Sequence, residues 1–451
     1  MQRVIDETNR SDPNWQLLEL EAQRAVIPDE QNSAINLMNA TRLMPPNWPR
    51  WDFAEESDMK NLSPDELEEL RENFLKATPT VQLNAQQVAA LRKELKRASA
   101  ALAELYQIAD KPRGRYPITY AKDFISTSPP HTPETRILAE LLSYDGLVRA
   151  QDQNLEGALT ACRCIIHAQR AVGDEPMLIS LLVRMALHRL ALGDLERILA
   201  QGELGEAALA RMQKLLEEEA GEPLFLIGAR GERGMEDGVL TAIQNGDLRL
   251  QSLSGLSKSA LGGKGDPNAL HNLRLMITPG AIKADRAALL RFNNEVVAIA
   301  RRPIEEQGAL LEQLEAKVND LPWISGLLTP AWSKLIDGFR RDKADLRCAL
   351  VMVAAERYRK ARGRWPETLA DLVPAYLDAA PTDPYDGKAL RLRRTREGVV
   401  IYSVSVDGQD DGGNLDERPM KGTDRGFRLW NVSLRRQPAK GRSGPDSTNK
   451  R

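Results

Sequence analysis

Apolar residues recur at steps of three, four and seven along most of this chain, and at steps of two only near its C-terminal end. The first spacing predicts helices with one buried stripe; the second predicts short strands. Helices are expected over 15–25 and 30–43, with an extended turn through 45–52 where Pro45, Pro46 and Pro49 resist helix. Ser63-Pro64-Asp65-Glu66 is a helix start that should run to about Lys76. Asn84 starts another, whose stripe is Val88, Leu91, Leu95, Leu102 and Leu105. The Pro-rich stretch 112–133 reads as a connection.

From Thr135 to Glu219 the pattern is strongly helical. Ile137, Leu138, Leu141, Leu142 and Leu147 share a face, Gly173-Asp174-Glu175-Pro176 makes a turn, and 177–192 is apolar nearly all round. Gly193-Asp194 reads as a break before an amphipathic run over 206–219. Helices joined by short turns predict antiparallel hairpins. The Gly-Ala-Leu openings resemble tetratricopeptide units, but no 34-residue signature repeats, so the expectation is an irregular helical bundle. Residues 221–280 are Gly-rich and less periodic, and 281–318 return to helix.

Residues 331–363 form the longest periodic run, with the stripe Trp332, Leu335, Ile336, Phe339, Leu346, Leu350, Val353 and Tyr358. A short helix is expected over 368–373. Strands follow over 389–394 and 399–406, the second rich in β-branched residues, with a third over 427–432. The fold class is therefore mainly α: an irregular helical bundle followed by a C-terminal α+β domain, a long helix on a small antiparallel sheet. The expected divisions are 1–133, 134–220, 221–330, 331–433 and a tail, 434–451. That tail carries six Lys/Arg against one Asp and reads as disordered.

Composition narrows the function more than it reveals it. With 62 Lys+Arg against 64 Asp+Glu, the net charge of -2 argues against a nucleic-acid coat or a polybasic membrane binder. Aromatics make up 5%, too few for base-stacking platforms. Three Cys cannot build a disulfide framework. No stretch approaches 18 consecutive apolar residues, so no transmembrane helix is expected. The start at Met1 lacks the apolar core of a signal peptide, which reads as cytoplasmic; an anchor upstream of a misassigned start would make the protein envelope-associated.

Catalytic patterns fail on inspection. On one helix Cys162, Cys164 and His167 point in three directions, so they read as core. His188 lies in an apolar helix and reads as a packed histidine. Trp15, Trp48 and Trp51 read as packing anchors. Gly228, Gly231 and Gly234 recur every third residue, which is not the dinucleotide turn. In Leu261-Gly262-Gly263-Lys264-Gly265-Asp266, Gly265 stands where a phosphate loop needs Ser or Thr. The many helical carboxylates read as solvated faces.

One segment carries chemistry. Asp407, Asp410, Asp411, Asn414 and Asp416 put five oxygen-bearing side chains within ten residues, and Gly408, Gly412 and Gly413 let the backbone fold tightly around one point. Calcium takes six to eight such oxygens, so these five are the candidate Ca2+ ligands. The alternative is an Asp/Gly-rich turn held by side-chain-to-backbone bonds. It is no EF-hand, because position twelve counted from Asp407 is Arg418.

The C-terminal motifs, in order, are Ala354 to Tyr358, Pro366 to Leu372 (Pro-x-x-Leu-x-x-Leu), Pro381 to Gly387 (Pro-x-Asp-Pro-x-x-Gly) and Tyr402 to Gly413 (Tyr-Ser-x-x-x-Asp-Gly-x-x-x-Gly-Gly). This order resembles the soluble domain of type II secretion major pseudopilins, over about 85 of the 451 residues. The resemblance implies a pseudopilin-like α+β fold and a calcium site in the corresponding loop, where Asp407 and Asp416 best match the ligands. The chain departs from that family in lacking its leader and filament-forming apolar segment, and Ser405 stands where the family usually has Gly. Residues 12–46 and 153–233 also resemble a family of large uncharacterised bacterial proteins associated with planctomycetes. The resemblance rests on Asp12-Pro13-Asn14-Trp15, Pro28-Asp29-Glu30-Gln31-Asn32-Ser33-Ala34, Gly173-Asp174-Glu175-Pro176 and Arg230-Gly231-Glu232-Arg233.

Together these readings imply a non-enzymatic scaffold or interaction protein with unidentified protein partners, no nucleic acid and a calcium-stabilised C-terminal unit. The alternative is an enzyme or nucleotide-dependent regulator with its site in 221–280.

Overall fold

In the computed structural model the described residues are 1–50, 78–127, 129–248, 279–415 and 423–439. The chain is mainly helical, with one three-stranded antiparallel sheet near the C-terminus. The expected helix over 63–76, Trp51, the Lys264 segment and Asp416 lie outside the described residues.

The N-terminal helices are α1 (Gln2–Ser11), α2 (Leu17–Gln23) and α3 (Ser33–Leu43). Asn84 caps α4 (Ala85–Arg97) through a reciprocal capping box with Gln87. The stripe expected to run on to Leu105 is interrupted at Ala98, where α5 (Ser99–Tyr106) begins. Trp15 and Trp48 are packing anchors whose indole N–H groups donate to Asn9 Oδ1 at 2.9 Å and to the Glu94 carbonyl at 3.2 Å. The hairpin region is α6 (His131–Gln151), α7 (Leu155–Val172), α8 (Leu178–Gln201) and α9 (Glu206–Gly221).

Two expectations need correction here. Gly193-Asp194 does not break α8, which runs unbroken through both residues. Gly193 sits on an exposed face with open space around it, and Asp194 accepts from Ser143 Oγ at 3.0 Å, so neither residue forces a turn. Nor is the Gly-rich stretch irregular throughout: Leu224–Asn245 is a 22-residue helix, α10. Its glycines permit close approach. A Cβ on Gly231 would lie 2.2 Å from the Pro176 carbonyl oxygen, and one on Gly234 would lie 2.7 Å from the Leu17 nitrogen. The helix propensity lost at glycine is the cost of seating α10 directly on two backbones.

The chain continues through α11 (Pro279–Ala300), α12 (Ile304–Glu315) and α13 (Trp323–Leu328) to α14 (Trp332–Arg362). Gly363 ends α14 in the left-handed conformation, φ 70°, its N–H donating to the Arg359 carbonyl. The sheet has the order β1 (Arg391–Arg394), β2 (Gly398–Ser403), β3 (Arg425–Trp430). The register aligns Leu392, Ile401 and Phe427 across the three strands, with Val399 opposite Leu429. These residues face α14 and join its apolar side chains in the largest core.

That core also takes residues from α3 through α9, so the helical body and the sheet share one interior. A second core gathers Leu181, Phe225, Phe292 and Leu311 around Trp332, Ile336 and Phe339 at the start of α14. Along its second half α14 is enclosed on nearly every side: Cys348, Val351, Met352, Ala354 and Ala355 are buried as well as the expected stripe, of which only Leu335 is partly exposed. The basic segment expected to be disordered from 434 is packed as far as described. The Arg436 N–H donates to the Ala200 carbonyl and the Gln437 N–H to the Thr80 carbonyl. Arg435 is buried because its guanidinium meets a buried carboxylate, which offsets its desolvation.

Candidate functional site

The Asp/Gly loop leaves β2 through Ser405 and returns to β3. Asp407 Oδ1 accepts from the Gln409 N–H at 3.1 Å. Asp410 Oδ1 accepts from Tyr402 Oη at 3.0 Å and from the Gly412 N–H at 2.9 Å, and its Oδ2 lies 3.8 Å from Arg391 Nε. Asp411 and Asn414 are exposed, and Asp416 is outside the described residues. Asp407 and Asp410 thus spend an oxygen on turn-forming bonds. Among the described residues no group of three or more His, Cys, Asp or Glu side chains is arranged to hold a metal ion. Asp407, Asp410 and Asp411 therefore do not form such a group by themselves.

Sequence reading missed Asp424 here. It stands beyond residues 416–422, immediately before β3, and its Oδ2 accepts from the Gly413 N–H at 2.7 Å. Its Oδ1 is buried without a hydrogen-bond partner. Burial, together with the nearby charges of Asp410 and Asp411, raises the Asp424 carboxyl above its ordinary range.

A second missed carboxylate ties two of the C-terminal motifs together. Asp383, fully buried, accepts from Ser403 Oγ at 2.8 Å and the Tyr385 N–H at 3.0 Å through Oδ1. Its Oδ2 accepts from the Val404 N–H at 2.9 Å and Arg391 Nη1 at 2.7 Å. The loop 381–387 is thereby fastened to the end of β2.

A third group sits at the centre of the helical body. His188 on α8 lies between two carboxylates: Nε2 is 2.8 Å from Glu219 Oε2 and Nδ1 is 2.9 Å from Asp342 Oδ1. Both ring nitrogens face carboxylate oxygens, so both carry protons. Burial pushes the imidazole down, but Asp342 and Glu219 outweigh it and hold its pKa up at about 9. Glu219 also accepts from Arg170, from Arg184 Nη2 at 3.1 Å and from Gln169 Nε2 at 2.5 Å. Burial alone would lift the Glu219 carboxyl; His188, Arg184 and Arg170 hold it well below the usual carboxylate range. The solvated-face reading of helical carboxylates fails for Glu219, which is 1% exposed. The available signal was Arg184 and His188, four residues apart on a helix that is otherwise apolar nearly all round.

Glu219 and Asp342 form part of the wall of a cavity of about 400 Å3. The cavity lies between the α9–α10 turn, the α11–α12 turn and α14. Leu224, Phe225, Ile304 and Phe339 give it an apolar lining. Lys343 donates from Nζ to the carbonyls of Ala220 at 2.5 Å and Glu222 at 3.1 Å, closing the end of α9.

The remaining candidates stay in the core. Cys162 donates to the Ala191 carbonyl, and burial raises its thiol well above the ordinary range. His167 Nδ1 lies 2.9 Å from the Ile108 carbonyl oxygen. Ser180 Oγ donates to Glu175 Oε2 at 2.5 Å, with both residues fully buried. Among the described residues no helix is long and apolar enough to cross a membrane. The chain matches no protein-family model, no curated protein and no solved structure.

Proposed function

We propose that this chain is a non-enzymatic scaffold or interaction protein, envelope-associated, whose C-terminal unit is built like the soluble domain of a type II secretion major pseudopilin. The observation that carries the reading is Asp383: it fastens the Pro-x-Asp-Pro motif to the strand that opens the Tyr-Ser motif, on a sheet packed against one long helix. Motifs that hold one another within one packed unit support the resemblance. The unit is also rigidly mounted, since α14 contributes to both the helical and the sheet-facing core. The non-enzymatic part is supported by hydroxyl and thiol groups that are walled in, such as Ser180 and Cys162. Calcium stabilisation is supported by Asp424, whose partnerless oxygen lies in the field of two further carboxylates that a cation would relieve.

The test is site-specific photocrosslinking in cells. A photoreactive residue at Arg393, exposed on the edge strand, should give discrete protein adducts, whereas one at Ile179, 48% exposed on the helical body, should not. Equal labelling at both sites, or none at Arg393, would remove the scaffold reading.

A further inference from the structure

We propose that the cavity between the α9–α10 turn, the α11–α12 turn and α14 binds an organic cation, an ammonium group carried on an apolar body. Its size suits a small ligand, since such sites span roughly 300–1,000 Å3, and this one holds about 400 Å3.

The polar inventory decides the sign of the ligand. Each cationic side chain in the wall already has a protein partner. Arg301 pairs with Asp12 at 3.1 Å, Arg302 with Glu306 at 2.8 Å and Arg347 with Glu305 at 2.8 Å, while Lys343 is spent on two carbonyls. The acceptors are less fully used. Asp342 gives Oδ1 to His188, and its other oxygen takes no hydrogen bond from the described residues. Gln307 donates from Nε2 to the carbonyls of Ala300 at 3.2 Å and Arg302 at 2.7 Å. Those two carbonyls fix which end of the amide is nitrogen. They leave Gln307 Oε1 buried, in a residue 4% exposed, without a partner.

Asp342, in the wall beside apolar side chains, keeps one carboxylate oxygen for a ligand N–H; the Gln307 oxygen is closed off by protein and adds none. Phe225 and Phe339, with ring centroids 5.3 Å apart, add aromatic surface that attracts a cation. His188 orients Asp342 from behind, so the carboxylate is held in place before any ligand arrives.

The experiment is calorimetric titration of the full chain with 2-phenylethylammonium, and with 2-phenylethanol and phenylacetate as neutral and anionic counterparts. The ammonium should bind saturably at about millimolar concentration or below, and at least tenfold more tightly than either counterpart. Asp342→Asn should weaken it at least tenfold. Ile304→Trp, which puts an indole into the cavity and changes no member of the His188 group, should abolish it. The proposal is overturned by absence of saturable heat, by preference for phenylacetate or equal binding of the alcohol, or by retention of binding in Ile304→Trp. If Asp342→Asn fails to fold, the charge series on the natural chain and the Ile304→Trp result decide the question.

Discussion

Arg435 and Glu356 form a bidentate ion pair in the protein interior, Nη1 to Oε1 at 2.9 Å and Nη2 to Oε2 at 2.8 Å. Arg435 Nε also donates to the Trp430 carbonyl at 3.0 Å and Nη1 to that of Gly202 at 2.7 Å. The pair thus pins the chain beyond β3 to α14 and to the end of α8. Arg435→Ala should destabilise the protein by about 2–4 kcal/mol, somewhat below the usual loss from a broken buried pair, because Arg359 still serves Glu356. Urea denaturation reads the change. The double change Arg435→Leu with Glu356→Leu should cost less than the sum of the two single changes, since the pair is lost only once. A single variant as stable as the natural chain would show that the pair contributes nothing.

The His188 group sets a pH dependence. Its pKa is raised from the ordinary value of 6.5 to about 9, so its contribution is complete below 6.5 and is lost as pH rises through about 9. Unfolding free energy should therefore fall between pH 6.5 and 9.5. His188→Gln should be less stable at pH 6 and show a flatter profile across that window. An unchanged slope in the variant would place the proton elsewhere.

Two glycines in helices should respond oppositely to alanine. Gly231→Ala must push the Pro176 carbonyl away from 2.2 Å, a backbone displacement costing roughly 1–3 kcal/mol. Gly193→Ala meets nothing within 4 Å and should gain about 0.5–1 kcal/mol from helix propensity. Thermal denaturation of the pair distinguishes a packing glycine from an incidental one. Equal shifts would contradict the close approach of α10.

Ser405 adopts a left-handed backbone, φ 59°, just after β2. A residue with a Cβ gives up roughly 1–2 kcal/mol there, part of which glycine returns through its freer unfolded chain. Ser405→Gly is expected to stabilise by about 0.5–1 kcal/mol. A destabilised variant would mean that the serine makes a compensating interaction.

Calcium binding would follow from the charge crowding at Asp410, Asp411 and Asp424. Calorimetry should register calcium at submillimolar to millimolar concentration, with the heat lost in Asp411→Ala and Asp424→Asn. Heat unchanged in both variants would move the site, and none in the natural chain would end the calcium reading.

The helices and strands follow largely from local pattern. Asn84 and Gln87 cap a helix whatever surrounds them, Gly363 supplies the left-handed stop for α14, and the β-branched run Val399, Val400 and Ile401 favours the strand β2. Those effects act within a few residues, so the amino-acid order alone determines them. What tertiary structure decided is which polar residues leave water. Glu219, Asp342, Asp424 and Arg435 carry no local mark that separates them from solvated charges, and each is buried by partners from other elements of the fold. Gly193 and Gly231 look alike as letters; the backbone packed against one and the open space beside the other give them opposite roles. Burial of a charge depends on whether a counter-charge arrives with it, and that depends on helix packing rather than on sequence neighbours.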